Sequence, residues 1–432
     1  MSRSFLCTAS LTLCWTLSPD VLVFLGNSFG RHGKTFGIVL LVGAALSAAA
    51  AYFIHHPASI SGEDNRQDIL AAEAGLLPAI TLNLAGRLSP ALLFSTGMLV
   101  TAGFTFNETF VYWFPNFGFS FLLLLLIVIL HLCGEKVVLA AQQVFLVLTA
   151  SCMLFLAVAG LMTGPALLQP DEPVHPTVST FFSLVPLAML FFLGYDQRMP
   201  GDGESNPRYF PAAVGLGFLL LILWGLASLS HVPQVRLAES SVPYVVAAKA
   251  ILGQPGRLIM GIAVISGTCG AVSGLFYLAV GTVRQTYAES IARNPNHPKH
   301  HVWQPKIQAI LMAFIIALFL ALGLAGNENL EVFIFGALLL WLLTIGMNSL
   351  ATAVHLHKQQ EKKYSPLGYA SGGLGVVLLA AVAHLAFTYP QPPLLVGFCV
   401  SVLAASGLFS AIWCRYGRRS NSAINNTKGD ML

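Results

Sequence analysis

Twelve long apolar runs dominate the sequence. A helix needs roughly 17–25 mainly apolar residues to cross the hydrocarbon layer of a membrane. Runs near this length lie at 5–26, 36–54, 89–111, 118–133, 138–163, 178–197, 210–230, 258–284, 306–325, 331–354, 368–388 and 393–414. Membrane-spanning segments must satisfy their own backbone hydrogen bonds, as helices do. The sequence therefore predicts an all-α polytopic membrane protein of about 12 transmembrane helices, with short surface helices at 68–87 and 242–256.

Composition excludes the soluble classes of protein. The chain is 56% hydrophobic and only 9% charged, whereas a soluble domain carries about 25% charged residues. The net charge is +4 and no basic stripe with interleaved aromatic residues is present, so no nucleic-acid partner is expected. The seven cysteines contain no C-x-x-C pair and are interpreted as small hydrophobic side chains. We expect no cofactor and no metal site, and the partners are the lipid bilayer and a small-molecule substrate.

The distribution of basic residues predicts the orientation of the chain in the membrane. If the N-terminus is cytoplasmic, 17 of the 22 Lys and Arg residues fall on the inner side. Short cytoplasmic loops carry such an excess of positive charge. The sequence thus predicts a multi-pass protein of the cytoplasmic (inner) membrane with both termini inside. No loop is long enough for a soluble domain, so the function is expected within the helix bundle.

Two of the spans are interrupted by residues that break helices. Span one carries Ser18-Pro19-Asp20 between apolar flanks, and span six turns polar at Gly194-Tyr195-Asp196. Proline cannot continue the helical hydrogen-bond ladder, and an ionised aspartate in hydrocarbon is costly. The two interruptions lie five spans apart, as corresponding elements of two five-helix halves would. Paired interrupted helices of this kind indicate the binding site of a secondary transporter.

The residues at the interruptions are the candidate substrate ligands. Unwound backbone frees N–H and C=O groups that a polar solute or an ion can bind. The predicted substrate-binding residues are Ser18, Pro19, Asp20, Val21, Phe191, Phe192, Gly194, Tyr195 and Asp196. Two alternatives stay open: Pro19 only kinks a helix and leaves Asp20 near an interface, and Asp196 only caps the segment that follows it.

Several stretches resemble the amino acid permease branch of the amino acid–polyamine–organocation transporter superfamily. Span six, FFLGYDQ…ESNPRYFPAAV, is similar to the family signature F-x-G-[FY]-[DE]…E-x-x-N-P-R-x-x-P-x-A-[IV], and the matching residues are Phe192, Gly194, Tyr195, Asp196, Glu204, Asn206, Pro207, Arg208 and Pro211. LAGRLSPALLFSTGM, GEKVVLAAQQVFLVL and ISGTCGAVSGLFYLAVGTVRQTYAESIAR resemble the family's spans three, five and eight. The resemblance covers residues from about 10 to 355.

The resemblance implies a leucine-transporter-like fold that works by alternating access. This fold is a five-plus-five inverted repeat in which helices 1 and 6 are broken. The first repeat would occupy 1–163 and the second 178–355, followed by two C-terminal spans at 366–414 and a cytoplasmic tail at 415–432, predicted to be flexible. The family binds its substrate between spans 1, 3, 6, 8 and 10.

The first interruption departs from the family pattern. The family reads G-x-G-I-F-x-x-x-G there and holds the amino acid carboxylate with backbone amides, whereas this chain reads SPDVLVFLG and keeps only the last glycine, Gly26. Pro19 has no N–H to donate, and Asp20 would repel a carboxylate. Asp20 suits a cationic partner instead: a substrate ammonium, a proton or Na⁺.

The coupling ion is predicted to be H⁺ or Na⁺, with exchange that needs no ion as the alternative. The lysine that serves proton coupling in some family members aligns here with Thr149. Asp20, Ser266 and Thr268 are the candidate ion site, although small hydroxyl residues are also common at helix contacts in membranes.

The leading interpretation is a secondary active transporter of an amino acid or a related amine. A non-transporting sensor or complex subunit of the same fold is the alternative. A membrane enzyme is disfavoured, because the sequence contains no constellation of catalytic groups. His55 and His56 are predicted to be solvated loop histidines at the inner surface.

Overall fold

The computed structural model describes residues 3–60, 69–164, 178–195, 206–292, 305–323, 328–358 and 365–429, and all regular structure in these ranges is helical. The helices are α1 (Arg3–Thr16), α2 (Pro19–His32), α3 (Thr35–Ile60), α4 (Ile69–Glu73), α5 (Leu76–Thr109), α6 (Asn116–Cys133), α7 (Glu135–Met162), α8 (Val178–Met189), α9 (Tyr209–His231), α10 (Gln234–Glu239), α11 (Pro243–Ala292), α12 (Pro305–Ala321), α13 (Glu328–Lys358), α14 (Ser365–Thr388) and α15 (Pro392–Gly429). A 3₁₀ turn, Leu190–Phe192, follows α8.

Each predicted span overlaps a helical segment of the described residues. Within the described ranges, nine helices are long and apolar enough to cross a membrane, and the bent pair of α1 and α2 makes up to ten. Two shorter apolar helices, Ser183–Phe192 and Pro305–Ala321, correspond to the predicted spans six and nine. The all-helical, multi-span architecture is therefore confirmed.

Three helices differ from the prediction in their extent. α5 begins at Leu76 and continues through Pro90, although the apolar run begins only at residue 89. α11 joins the predicted short segment at 242–256 to span eight across a kink at Gly253, whose φ of 65° lies in the left-handed region. α15 continues to Gly429 through most of the tail that was predicted to be flexible, a stretch without proline.

The first of two compact units comprises Met1–His56, Phe94–Leu275 and Ala313–Asn327. Here α1 packs against α7, α9 and the 3₁₀ turn, and α2 packs against α9 and α10. The contact between α2 and α10 depends on Gly30, because a Cβ atom there would lie 2.3 Å from the backbone nitrogen of Ala238. This unit holds every candidate site residue that the structure describes.

The second unit comprises Pro57–Leu93, Phe276–Met312 and Glu328–Leu432. α13 is its central element and packs against α4, α14 and α15. The short helix α4 is held to α13 by Glu73, whose carboxylate accepts hydrogen bonds from His355 (3.1 Å) and Lys358. A small apolar cluster that includes Leu70 and Ala351 lies beside these polar contacts.

Candidate functional site

The break in span one follows directly from Pro19. α1 ends at Thr16, α2 begins at Pro19, and the two halves are bent by 55°. Pro19 has no N–H to donate to the carbonyl of Trp15 four residues earlier. The N–H of Ser18 donates to that carbonyl instead (2.9 Å) and closes a tighter turn. The Ser18 hydroxyl then accepts the N–H of Val21 (3.5 Å) and caps α2.

Asp20 lies in the first turn of α2 and is half-buried. Its Oδ1 atom accepts a hydrogen bond from the Thr101 hydroxyl on α5 (3.2 Å). That hydroxyl has one proton and also lies 3.1 Å from the carbonyl of Gly97, so the bond to Asp20 is shared. In the described part of the chain, both ion pairs involve Glu73 and none involves Asp20. The N-terminus of α2 adds a favourable partial positive charge, but Asp20 retains capacity for a cationic partner.

The break in span six has a different origin. The α-helix ends at Met189, the 3₁₀ turn covers Leu190–Phe192, and Leu193 is extended. Gly194 then adopts a φ of 97°, which favours glycine because it has no Cβ atom. The chain is thus non-helical at Gly194, as the sequence predicted. Asp196 lies outside the described residues.

Two ring nitrogens bind the carbonyl groups at the ends of the stretch Leu190–Tyr195. The indole Nε1 of Trp15 donates to the carbonyl of Leu190 (3.0 Å). The imidazole Nε2 of His55, on α3, lies 2.6 Å from the carbonyl oxygen of Tyr195. The first bond joins the residue just before one break to the start of the other. The second satisfies a backbone carbonyl immediately after Gly194.

The prediction for His55 was wrong. It is only 2% exposed and stacks on Phe210, with ring centroids 3.6 Å apart. A short inner loop was expected to leave the ring in solvent, but α3 continues beyond it to Ile60. The adjacent His56 is half-buried beside Tyr52.

The other predicted substrate-binding residues are almost fully enclosed. Ser18, Pro19 and Val21 are buried on the span-one side, and Phe191, Phe192, Gly194 and Tyr195 are buried on the span-six side. Phe191 packs against Phe36 of α3, with ring centroids 6.1 Å apart. The structure thus brings the two breaks together in one unit, through Trp15 and Leu190. Their role as substrate ligands stays a prediction.

The candidate ion-site residues fall into two places. The Ser266 hydroxyl on α11 lies 2.8 Å from the Thr149 hydroxyl on α7. The carbonyl of Leu17 faces the same region, because a Cβ atom on Gly267 would lie 3.0 Å from it. Carbonyl oxygens of unwound helices are typical Na⁺ ligands in transporters. The Thr268 hydroxyl donates to the carbonyl of Val264 in its own helix (2.8 Å). Asp20 is in the other place, where its partner is the Thr101 hydroxyl described above.

Metal-ligating side chains do not cluster in the described residues. No group of three or more His, Cys, Asp or Glu side chains there is arranged to hold a metal ion. Divalent cations generally require several oxygen, nitrogen or sulfur ligands.

Sequence reasoning missed Trp15, His55 and Thr101. A buried indole normally needs a partner for its N–H, so Trp15, three residues before Ser18, was a usable signal. Its partner Leu190 is 175 residues away, and nothing in the sequence identifies it.

Comparison with known proteins identifies the fold. No family model and no curated protein matches the sequence. A mutant of the manganese transporter from Eremococcus coleocola is 10% identical with a TM-score of 0.53, and the matched region covers 96% of this chain and 95% of the transporter chain. MhsT in complex with L-phenylalanine is 15% identical with a TM-score of 0.57, and the matched region covers 93% of this chain and 99% of the MhsT chain. These similarities confirm the leucine-transporter-like fold. The amino acid permease branch stays a prediction.

Proposed function

We propose that the chain is a secondary active transporter that carries an amino acid or a related amine by alternating access, with Asp20 as the counter-charge of the ammonium group. The observation that carries the proposal is the half-buried Asp20 carboxylate at the break of span one, whose side-chain partner among the described residues is one shared hydroxyl. Ionisable groups inside a membrane are expensive and are therefore functional candidates.

The fold supports transport of a small solute, because one of the similar structures is a manganese transporter by name and the other holds L-phenylalanine. We propose that the two five-helix repeats are 1–163 and 178–355 and that the chain lies in the cytoplasmic membrane with both termini inside. Coupling to H⁺ or Na⁺ is part of the proposal, with Asp20 or the oxygens of Leu17, Thr149 and Ser266 as ligands.

An amine is favoured over a metal ion as the substrate. One of the similar structures is a manganese transporter, but the described residues contain no cluster of metal ligands. A single carboxylate neutralises one ammonium group, whereas a divalent ion would retain a net charge in a medium of low dielectric constant.

The test is uptake into proteoliposomes of radiolabelled amino acids, amines and Mn²⁺, with and without imposed proton and sodium gradients. We expect uptake of an amine-bearing solute, and we expect Asp20→Asn to abolish it. Glu108→Gln is the matched control, because Glu108 is an exposed carboxylate at the end of the α5 helix that also carries Thr101. Uptake of Mn²⁺ alone, or full activity of Asp20→Asn, would contradict the proposal.

A further inference from the structure

The stretch Leu190–Tyr195 is almost completely shielded from water. Leu190 is 3% exposed, and Phe192 and Tyr195 are each 1% exposed. Its backbone leaves the α-helix at Met189 for a 3₁₀ turn and is extended at Leu193, so the carbonyl groups at its end lose the regular donors that a helix supplies. A buried backbone group without a partner is costly, and inside a membrane water does not replace the missing donor. Donors from other helices therefore help to fix the shape of this stretch.

Trp15 and His55 supply such donors at its two ends. Trp15 Nε1 is a donor only, and it reaches the carbonyl of Leu190 at 3.0 Å. A carbonyl oxygen only accepts, so the His55 Nε2 atom at 2.6 Å from Tyr195 carries the proton of that bond. The two donors come from α1 and α3, which makes the stretch a bridge between three spans.

Both donor rings are fixed by their own packing. Trp15 is 4% exposed and contacts Phe94 edge-on, with ring centroids 4.5 Å apart. His55 stacks on Phe210 with an interplanar angle of 10°. A donor that cannot rotate away holds its acceptor in one position, and side chains supported in this manner preorganise a binding site.

We infer that Trp15 and His55 are positioning residues of the substrate site, which hold Leu190–Tyr195 in the shape that binds substrate and so set its affinity. The effect on substrate affinity rests on the proposed function. The positioning of Leu190–Tyr195 by the two rings does not depend on what is transported. Trp15 also joins the two breaks, so a displacement of the span-six stretch is transmitted to the end of α1.

The first experiment measures the positioning without any substrate. Amide hydrogen exchange of peptides covering residues 183–195 is compared between the native protein, Trp15→Phe, His55→Ala and His55→Gln in lipid nanodiscs. Trp15→Phe retains a ring but loses the N–H, and His55→Gln places an amide N–H near the former Nε2. We expect faster exchange in Trp15→Phe and His55→Ala and native exchange in His55→Gln. His56→Gln and Trp113→Phe are the controls, because His56 is adjacent in sequence and Trp113 is 81% exposed.

The second experiment separates affinity from turnover in the uptake assay. We expect His55→Ala and Trp15→Phe each to raise KM about tenfold, which corresponds to about 1.4 kcal/mol, while kcat changes less than about twofold. His55→Gln should restore the native KM. Because both residues hold one stretch, the effects of the double variant should not add.

The outcomes distinguish the two proposals. If the native protein moves none of the solutes, the proposed function is wrong, and the exchange experiment still decides whether the two rings hold the stretch. Unchanged exchange in both variants would overturn the inference. So would a His55→Gln variant that behaves like His55→Ala, or faster exchange with a native KM.

Discussion

The hydroxyl oxygens of Thr105 and Tyr244 lie 2.9 Å apart, where α5 meets the start of α11. Thr105 also lies 2.8 Å from the carbonyl of Thr101, to which it donates, so the proton between the two hydroxyls comes from Tyr244. Thr101 in turn binds Asp20. One face of α5 thus carries a row of hydroxyl groups beside the candidate site.

Removing either partner of this pair should have unequal effects. Thr105→Val leaves the Tyr244 hydroxyl, in a side chain that is 1% exposed, without its acceptor, and should cost about 1–3 kcal/mol. Tyr244→Phe should cost less, because Thr105 still donates to Thr101. Thermal unfolding in detergent measures both, with Tyr112→Phe as the control, since Tyr112 is 88% exposed. Equal losses of stability in the two variants would show that Tyr244 does not donate the proton between the two hydroxyls.

Two glycines of α9 offer a matched pair for testing helix contacts. A Cβ atom on Gly225 would lie 2.1 Å from the buried ring of Phe29, whereas a Cβ atom on Gly215 would meet nothing within 4 Å. Gly225→Ala should therefore lower stability by about 1–3 kcal/mol through overpacking. Gly215→Ala should raise stability by up to about 1 kcal/mol through helix propensity. Opposite shifts of the unfolding temperature are expected, and a stabilised Gly225→Ala would mean that α2 and α9 adjust freely.

Glu73 should make stability depend on pH. The hydrogen bond from Lys358, and secondarily that from His355, lowers the pKa of Glu73 below its ordinary value. A group with a lowered pKa stabilises the folded state above the unfolded pKa and loses that effect as the pH falls. Because Lys358 is 64% exposed, we expect Glu73→Gln to cost only about 1 kcal/mol at neutral pH.

The difference between native protein and Glu73→Gln should shrink as the pH falls below about 4, where carboxyl groups protonate. Unfolding temperatures across this pH range measure it, and Glu239→Gln is the control because Glu239 is exposed. A difference that stays constant with pH would exclude the carboxylate as its origin.

Gln142 should stabilise the contact between three helices. Its Nε2 atom, on α7, donates to the carbonyls of Ser10 on α1 (3.2 Å) and Gly270 on α11 (2.7 Å), and the residue is fully buried. Gln142→Leu removes both bonds and should cost about 2 kcal/mol. Ser151→Ala on the exposed face of the same helix should change the unfolding temperature little. A neutral Gln142→Leu would indicate that helix packing alone holds this contact.

The length of the apolar runs predicted the helices, and the chemistry of Pro19 and Gly194 predicted both breaks, because these are local properties. The apolar run placed the start of span three too late. α5 already contains Thr81, Asn83 and Arg87, whose polarity interrupts the apolar run, and Arg87 lies 3.5 Å from the Thr282 hydroxyl. An apolar run marks the part of a helix that can lie in the hydrocarbon layer, and the helix itself can begin earlier. The partners of Trp15 and His55 escaped prediction for a related reason: they are backbone carbonyls, which every residue offers equally.

The two breaks are of different kinds. The one in span one is covalent, because Pro19 lacks an N–H in every conformation that the chain can adopt. The one in span six is conformational, because it combines a glycine in the left-handed region with hydrogen bonds from two ring nitrogens. A backbone N–H that proline lacks cannot be restored, whereas hydrogen bonds from side chains can break and re-form. The chain thus combines a break fixed by covalent structure with one held by hydrogen bonds, and Trp15, next to the first break, donates one of those bonds.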